Sequence, residues 1–129
     1  MTSVSQYRRV FTSLALAALL AASNGAFAAD AKNGKAVFSR CAICHTATRD
    51  GPNGVGPNLY GVVGRKAGTR VGFSYSNAMK NSGIAWTPDK LDAYIAHPAK
   101  VVPGNRMAFA GIPDAGERAD LVAYLETLK

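Results

Sequence analysis

Cys41-Ala42-Ile43-Cys44-His45 contains both cysteines of this 129-residue chain, separated by two residues and followed directly by a histidine. A Cys-x-x-Cys-His run is typical of the attachment site of a c-type haem, because two thiols on one helical turn can each form a thioether with a vinyl group. The histidine is then held under the iron as the proximal ligand. The motif therefore predicts one covalently bound haem c, held by Cys41, Cys44 and His45.

Three other uses of this cysteine pair are open. A structural disulfide is one, but closing so short a ring constrains little of the unfolded chain and would stabilise weakly. A thioredoxin-like redox pair follows a strand in a βαβ context, whereas a helical pattern precedes Cys41. A zinc site needs four ligands, and the only other histidine, His97, lies far along the chain. Covalent haem fits the residues best.

Residues 1–28 have the pattern of an export signal rather than of part of the fold. Arg8-Arg9 form a charged region, an apolar run extends from Val10 to Ala22, and Ala26-Phe27-Ala28 is a small-x-small cleavage site. The apolar run is too short for a comfortable membrane span, which needs about 20 residues. We expect cleavage after Ala28 and a mature protein in the periplasm.

Two alternatives remain for this segment. An uncleaved anchor would have to include the polar run Ser23-Asn24-Gly25. Arg8-Arg9 also resembles a twin-arginine signal, but that route exports folded proteins, whereas haem c is normally attached after export of an unfolded chain. The general secretory route is the preferred prediction.

The mature chain, residues 29–129, is the length of one small domain. Arg8 and Arg9 are the only charged residues that cleavage would remove. The mature chain therefore has 13 basic and 8 acidic residues, and its net charge is about +5. A domain of this size can only just build its own core, and a buried macrocycle would add apolar volume. A modest positive charge favours acidic protein partners. Without a dense basic cluster, nucleic acid is not an expected partner.

Helical patterns occur at residues 32–40, at Ser76 to Lys80, between Thr87 and Pro98, and from Asp114 towards the C-terminus. Thr87 is the predicted cap of the third helix and Pro98 its stop, with Leu91, Tyr94 and Ile95 on one face. Asp114 is the predicted cap of the last helix, with Glu117 as its capping-box partner. That helix is expected to bury a stripe made of Leu121, Tyr124, Leu125 and Leu128. Gly34, inside the first helix, indicates a close approach by another helix or a tolerated surface glycine.

Residues 46–72 are rich in glycine and show little periodicity. So long a loop is unusual in a small domain unless it surrounds something, and a haem is a suitable object. Arg65, in this loop, could pair with a haem propionate or be solvated. Tyr75 and Trp86 each combine an apolar body with one hydrogen-bonding tip, which suits either a pocket lining or plain core packing.

Met107 is the predicted sixth ligand of the iron. It lies in the Pro-Gly-containing segment from Val101 to Ile112, where helical periodicity does not account for it. Met79, at a helical position, fits core packing better. His97, at the end of a helix, is interpreted as a capping or surface residue, with the role of iron ligand as the alternative.

Taken together, the chain resembles the class I cytochromes c, of the mitochondrial cytochrome c and bacterial cytochrome c2 type. The likeness covers the whole mature region and rests on motifs in order. These are Gly34-x-x-x-Phe38, Cys41-Ala42-Ile43-Cys44-His45, Gly56-Pro57-Asn58-Leu59, Gly64-Arg65-Lys66, Gly72-Phe73-Ser74-Tyr75-Ser76, Trp86, Pro103-Gly104-Asn105-Arg106-Met107-Ala108-Phe109 and Leu121-Val122-Ala123-Tyr124-Leu125. The resemblance implies an all-α fold of about five short helices and long loops around one haem.

The resemblance also implies residue roles. Cys41 and Cys44 would form the thioethers, His45 and Met107 would be the axial ligands, and the Pro57 carbonyl would accept the ring N–H of His45. The implied propionate contacts are Arg65, Tyr75 and Trp86 for one carboxylate, and Ser76 and Asn105 for the other. Tyr94 would lie against the Met107 sulfur, Phe109 would flank the haem edge, and Gly34 and Phe38 would meet Leu121 and Tyr124.

The sequence departs from the family at two places. Met79 stands where asparagine is common beside the haem, which alters that polar network. The basic ring around the haem edge is thin. Arg40, Lys100 and Arg106 fit it, but Gly54, Ala99, Pro113 and Asp114 fall where lysine is common. Docking would then depend more on apolar contact near Phe109.

The implied function is that of a soluble, monomeric one-electron carrier without catalytic residues. Its partners would be a cytochrome bc1-type complex as donor and a terminal oxidase or reaction centre as acceptor, contacted peripherally at the membrane. Two alternatives are a haem enzyme or gas- or peroxide-binding cytochrome with a labile Met107, and a dedicated electron-acceptor subunit of a periplasmic dehydrogenase.

Overall fold

Five α-helices and one 3-10 turn form the regular structure of residues 28–129, the part of the chain that the computed structural model describes. They are α1 (Ala31–Val37), the 3-10 turn Phe38–Arg40, α2 (Asn77–Lys80), α3 (Pro88–Ala96), α4 (Pro98–Val101) and α5 (Ala115–Glu126). Within these residues there is no strand, only an isolated antiparallel bridge between Lys66 and Ala85. The predicted all-α fold with about five short helices is confirmed. The proposed export signal lies, except for Ala28, outside the described residues.

Side-chain caps fix where the helices begin. Thr87 and Asp114, the two predicted caps, accept N–H groups of Lys90 at 3.4 Å and Glu117 at 2.7 Å. Asp30 and Ser76 cap α1 and α2 in the same way. Because a capping oxygen satisfies an otherwise unpaired N–H, each cap sets the boundary of its helix. The predicted capping box is incomplete, because the side chain of Glu117 accepts hydrogen bonds from Arg40 instead of from the Asp114 N–H.

Pro98 ends α3, as predicted, and also begins a short helix that the sequence pattern did not indicate. Proline is well suited to the first turn of a helix, where its missing N–H would have no partner and its φ is already helical. The loop predicted from Val101 to Ile112 therefore begins after Val101, which is the last residue of α4. His97 lies between the two helices and is exposed, in agreement with its interpretation as a capping or surface residue.

The crossing of α1 and α5 is the main helix contact, and Gly34 makes it possible. A Cβ at Gly34 would overlap the Asp120 carbonyl and lie 2.9 Å from the Tyr124 Cβ. One turn later, the Phe38 and Tyr124 rings lie 5.3 Å apart. The close-approach interpretation of Gly34 is therefore correct, and this crossing joins the first and last helices of residues 28–129.

The core lies between α3, α5 and the loops. Its buried side chains include Leu91, Tyr94 and Ile95 of α3, Leu121 and Leu125 of α5, Leu128 just beyond it, and Met79 of α2. Met79 is 8% exposed, which confirms it as a core residue. Tyr124, expected in the same stripe, is only half-buried, since it lies at the edge facing Phe38.

The long loop contains no helix between Thr46 and Gly72, as predicted, and is held by asparagine side chains. Asn58 is fully buried. Its Nδ2 donates to the carbonyls of Thr48 and Gly51 at 2.9 and 2.8 Å, and its Oδ1 accepts the Tyr60 N–H at 2.7 Å. These bonds replace the regular ladders that a loop lacks. None of the helices in residues 28–129 is long and apolar enough to cross a membrane.

Candidate functional site

The haem-attachment motif continues the first helix as a tight turn. The Cys41 N–H donates to the Phe38 carbonyl at 2.8 Å, and the His45 N–H donates to the Cys41 carbonyl at 2.9 Å. Cys41 and Cys44 are both half-buried, and they form no disulfide. Burial raises the pKa of the Cys41 thiol, although the neighbouring Arg40 charge opposes this. The turn therefore presents two unpaired thiols and an imidazole within five residues.

His45 is oriented by the loop that passes beside it. Its Nδ1 lies 2.7 Å from the Pro57 carbonyl oxygen, to which it donates a hydrogen bond. This bond fixes the tautomer and leaves Nε2 as the nitrogen with a free lone pair. Burial lowers the pKa of His45, which favours the neutral imidazole that binds metals. Gly56 is also required, because a Cβ there would lie 2.7 Å from Nδ1 and overlap the ring.

Met107 lies in the loop between α4 and α5 and is fixed by two neighbours. Asn105 accepts the Met107 N–H through Oδ1 at 2.8 Å, and the Tyr94 hydroxyl oxygen lies 4.0 Å from the Met107 sulfur. Burial raises the pKa of Tyr94 to about 12, so its hydroxyl remains a donor. The predicted contact of Tyr94 with the sulfur is thus present.

Backbone pairing brings Arg65 and Trp86 together. The Trp86 N–H donates to the Arg65 carbonyl at 2.9 Å, beside the Lys66–Ala85 bridge. Trp86 is buried, and its ring lies 4.9 Å from that of Tyr94. The Tyr75 hydroxyl is close enough to Arg65 for each charge to affect the pKa of the other. Of the predicted propionate residues, Arg65 is therefore paired with Trp86 through the backbone and interacts electrostatically with Tyr75.

The comparisons with known proteins agree with this geometry. A family model described as cytochrome c matches residues 31–129. The chain belongs to the cytochrome c family. It is 54% identical over 101 residues to cytochrome c2 of Rhodopila globiformis, covering 78% of this chain and 94% of that one. It is 60% identical over 83 residues to cytochrome c of Trypanosoma brucei brucei, covering 64% of this chain and 89% of that one. The solved structure of cytochrome cH from Methylobacterium extorquens matches with a TM-score of 0.72 at 44% identity. The match covers 76% of this chain and 98% of that one.

Membership of the cytochrome c family means that this protein is an electron carrier with one covalent haem c. The described residues fit that group. Cys41 and Cys44 are the only cysteines, and both are free. The His45 ring is turned by Pro57 and accommodated by Gly56, a position where any side chain would displace it. Cytochrome c chemistry requires two thiols and an oriented imidazole, and all three are present.

Two features of the site were not found by sequence reasoning. Arg40, assigned to the basic ring, forms a bidentate ion pair with Glu117 at 2.7 and 2.8 Å. Arg70 was not singled out, yet it lies beside Arg65 and Tyr75. The sequence contained a signal for Arg70, because it is one of three arginines in the glycine-rich loop and lies five residues from both Arg65 and Tyr75.

Asn105 makes contacts that the family resemblance did not indicate. Its Nδ2 donates to the Pro98 and Val102 carbonyls at 3.1 and 2.8 Å, while Oδ1 accepts the Met107 N–H. The side chain therefore ties the methionine loop to α4. Its contact with a propionate, like that of buried Ser76, stays a prediction.

Proposed function

We propose that this cytochrome c is a one-electron shuttle in which His45 and Met107 would both bind the haem iron, with Cys41 and Cys44 forming the thioethers. One observation supports this most strongly: each candidate ligand is held by a second residue. Pro57 fixes the imidazole of His45, and Asn105 fixes the backbone of Met107. A ligand held in this way needs little rearrangement when the iron changes oxidation state, which favours rapid electron transfer.

The bound haem supplies a one-electron iron couple, and the protein sets its potential. A thioether ligand such as Met107 raises the potential. The Tyr94 hydroxyl, 4.0 Å from the sulfur, contacts that side chain and helps to orient it. With both axial positions filled, no coordination site would be left for a substrate. We therefore propose that the protein has no enzymatic activity.

Arg65, Tyr75 and Trp86 are proposed to hold one haem propionate. The Arg65 guanidinium donates to the Asn58 and Tyr60 carbonyls at 3.2 and 3.1 Å, which aligns it without neutralising its charge. The Tyr75 oxygen accepts the Arg70 N–H at 3.2 Å, so the Tyr75 hydrogen remains free to donate. A carboxylate is the group that this combination of a cation and a free hydroxyl would bind best.

Docking to redox partners is proposed to depend on apolar contact more than on charge. Ile43, between the two cysteines, is 81% exposed, and so is Val55. The Gly56 N–H donates to the Cys44 carbonyl at 2.8 Å, which keeps the Val55 loop beside the motif. Arg40 is engaged with Glu117 and contributes less free positive charge. Small, transient interfaces of this kind suit electron transfer.

The proposed partners are a cytochrome bc1-type complex as donor and a terminal oxidase or reaction centre as acceptor, with the protein acting as a monomer in the periplasm. The export signal proposed at residues 1–28 supports this location. The N-terminal residue of the purified protein, determined by mass spectrometry, tests cleavage after Ala28. An N-terminus at Met1 would contradict it.

Carbon monoxide binding tests the shuttle against the enzyme alternative. The reduced native protein should bind carbon monoxide negligibly, because Met107 fills the sixth position, and Met107→Ala should bind it readily. In parallel, the native protein should be reduced and reoxidised by bacterial membranes that contain a bc1-type complex and an oxidase. Ready carbon monoxide binding by the native protein would contradict the shuttle and favour a gas- or peroxide-binding cytochrome.

A further inference from the structure

Arg65 and Arg70, whose charges both act on the Tyr75 hydroxyl, form no ion pair with a carboxylate of residues 28–129. Within residues 28–129, the ion pairs join Arg40 to Glu117 and Arg118 to Asp92. Arg65 and Arg70 belong to neither pair. Both charges act to lower the pKa of Tyr75, against the larger effect of burial. The Arg70 charge also adds to burial in lowering the pKa of Arg65. The loop therefore holds more positive charge than it neutralises.

Arg70 is held by its backbone and by the tip of its side chain. Its backbone N–H donates to the Tyr75 oxygen at 3.2 Å, and its side-chain Nη2 donates to the Gly51 carbonyl at 3.3 Å. Between them, Nε is the only buried side-chain nitrogen or oxygen of residues 28–129 that has no hydrogen-bond partner. Leaving a buried charged group incompletely bonded is costly unless another interaction compensates for it. A nearby anion would provide that compensation.

We propose that Arg70 supplies the second positive charge of the propionate site at Arg65 and Tyr75, and thereby raises the reduction potential of the haem. This inference rests on the propionate position proposed above. Since protein atoms enclose Nε and Nη2 binds Gly51, Arg70 acts through its charge and not as a direct ligand. A fixed positive charge disfavours the extra charge of ferric iron, which favours the reduced state.

Midpoint potentials of four variants test this role. Arg70→Gln removes the charge, Arg70→Lys keeps it, Arg65→Gln removes the proposed direct contact, and Lys35→Gln removes an exposed charge from α1 as a control. Each haem-loaded protein is titrated spectroelectrochemically at about 10 mM and about 1 M salt, where the Debye length is about 30 Å and about 3 Å. Because the Arg70 charge is partly buried, its effect should persist at high salt.

The expected result is a lower potential for Arg70→Gln at both salt concentrations, restoration by Arg70→Lys, and a small shift for Lys35→Gln that disappears at high salt. If Arg65→Gln lowers the potential but Arg70→Gln matches the control, Arg70 is only a loop contact and the inference is wrong. If neither arginine matters, the propionate position itself is wrong. If Arg70→Gln fails to assemble with haem, the Arg70→Lys variant provides the test. This variant should keep the native potential, and a potential as low as that of Arg65→Gln would overturn the inference.

Discussion

The side chain of Asn105 holds the backbone of Met107, its Oδ1 accepting the Met107 N–H at 2.8 Å while its Nδ2 donates to carbonyls of α4 and the residue after it. The position of the methionine sulfur therefore depends on a residue two positions earlier. Because this loop lacks helical and sheet hydrogen bonds, the three bonds of the Asn105 side chain hold the Met107 backbone against α4.

Asn105→Ala should weaken the attachment of Met107 while leaving the fold intact. Each lost hydrogen bond contributes about 0.5–1.5 kcal/mol, so the loop should open at a lower denaturant concentration. The measurement follows the Met-to-iron absorption band and the far-ultraviolet circular dichroism through one urea titration. The band should disappear before the helices unfold. Asn77→Ala, on the exposed side of α2, is the control, and equal behaviour of both variants would contradict the account.

Gly34→Ala should destabilise the protein through the α1–α5 crossing. The added methyl would overlap the Asp120 carbonyl and the Tyr124 Cβ, and overpacking of this kind costs about 1–3 kcal/mol. The control is Gly116→Ala in the exposed first turn of α5, where the added Cβ would lie 3.2 Å from Asp114 Oδ1, so its effect on stability should be smaller than that of Gly34→Ala. Urea denaturation of both variants gives the comparison. A Gly34→Ala protein as stable as Gly116→Ala would mean that the helices do not cross this closely.

Asn58→Ala should be among the most damaging loop substitutions. The fully buried side chain makes three hydrogen bonds to the loop backbone, with Thr48, Gly51 and Tyr60. Their loss together with the cavity should reduce the free energy of unfolding by about 2–4 kcal/mol. Asn81→Ala, at an exposed position, controls for the change of residue type. A difference between the two variants near zero would show that the loop is held by other contacts.

Asp120 should contribute to stability at neutral pH but not in strong acid. Its pKa lies below the ordinary value of 3.8, mainly because it accepts the Asp30 N–H and also a bond from Asn33. A carboxylate with a lowered pKa stabilises the fold above its unfolded pKa, and the contribution is lost as pH falls through the folded pKa. The difference in unfolding free energy between wild type and Asp120→Asn should be constant above about pH 5 and shrink below pH 3.8.

Equilibrium denaturation at a series of pH values measures this difference. Asp50→Asn removes the same formal charge from an exposed carboxylate and controls for net charge. A difference for Asp120→Asn that grows as the solution is acidified would reverse the predicted sign.

The sequence predicted those features that local chemistry determines. The Cys41–His45 motif identified the haem, Thr87 and Asp114 marked helix starts, and Gly34 indicated a close helix contact. Met79 was assigned to the core by its helical position, and it is buried there. In each case the residue type carries its own physical constraint, which holds in any surroundings.

What the sequence did not reveal depends on contacts between distant segments. Glu117 was expected to complete a capping box, but it pairs with Arg40, 77 residues away, because α1 and α5 cross. Arg70 gained significance only when the loop brought it beside Arg65 and Tyr75. Such pairings require the three-dimensional arrangement of the loops, which no local pattern specifies.

The optical spectrum of the haem-loaded protein, native and with Met107→Ala, tests the central claim that His45 and Met107 are the axial ligands. The native oxidised protein should be low-spin with a Met-to-iron band that Met107→Ala abolishes, whereas Met79→Leu, a volume-conserving change in the core, should retain it. A native protein that is already high-spin, or a band that survives Met107→Ala, would contradict the assignment and return Met79, His97 and an open coordination site to consideration.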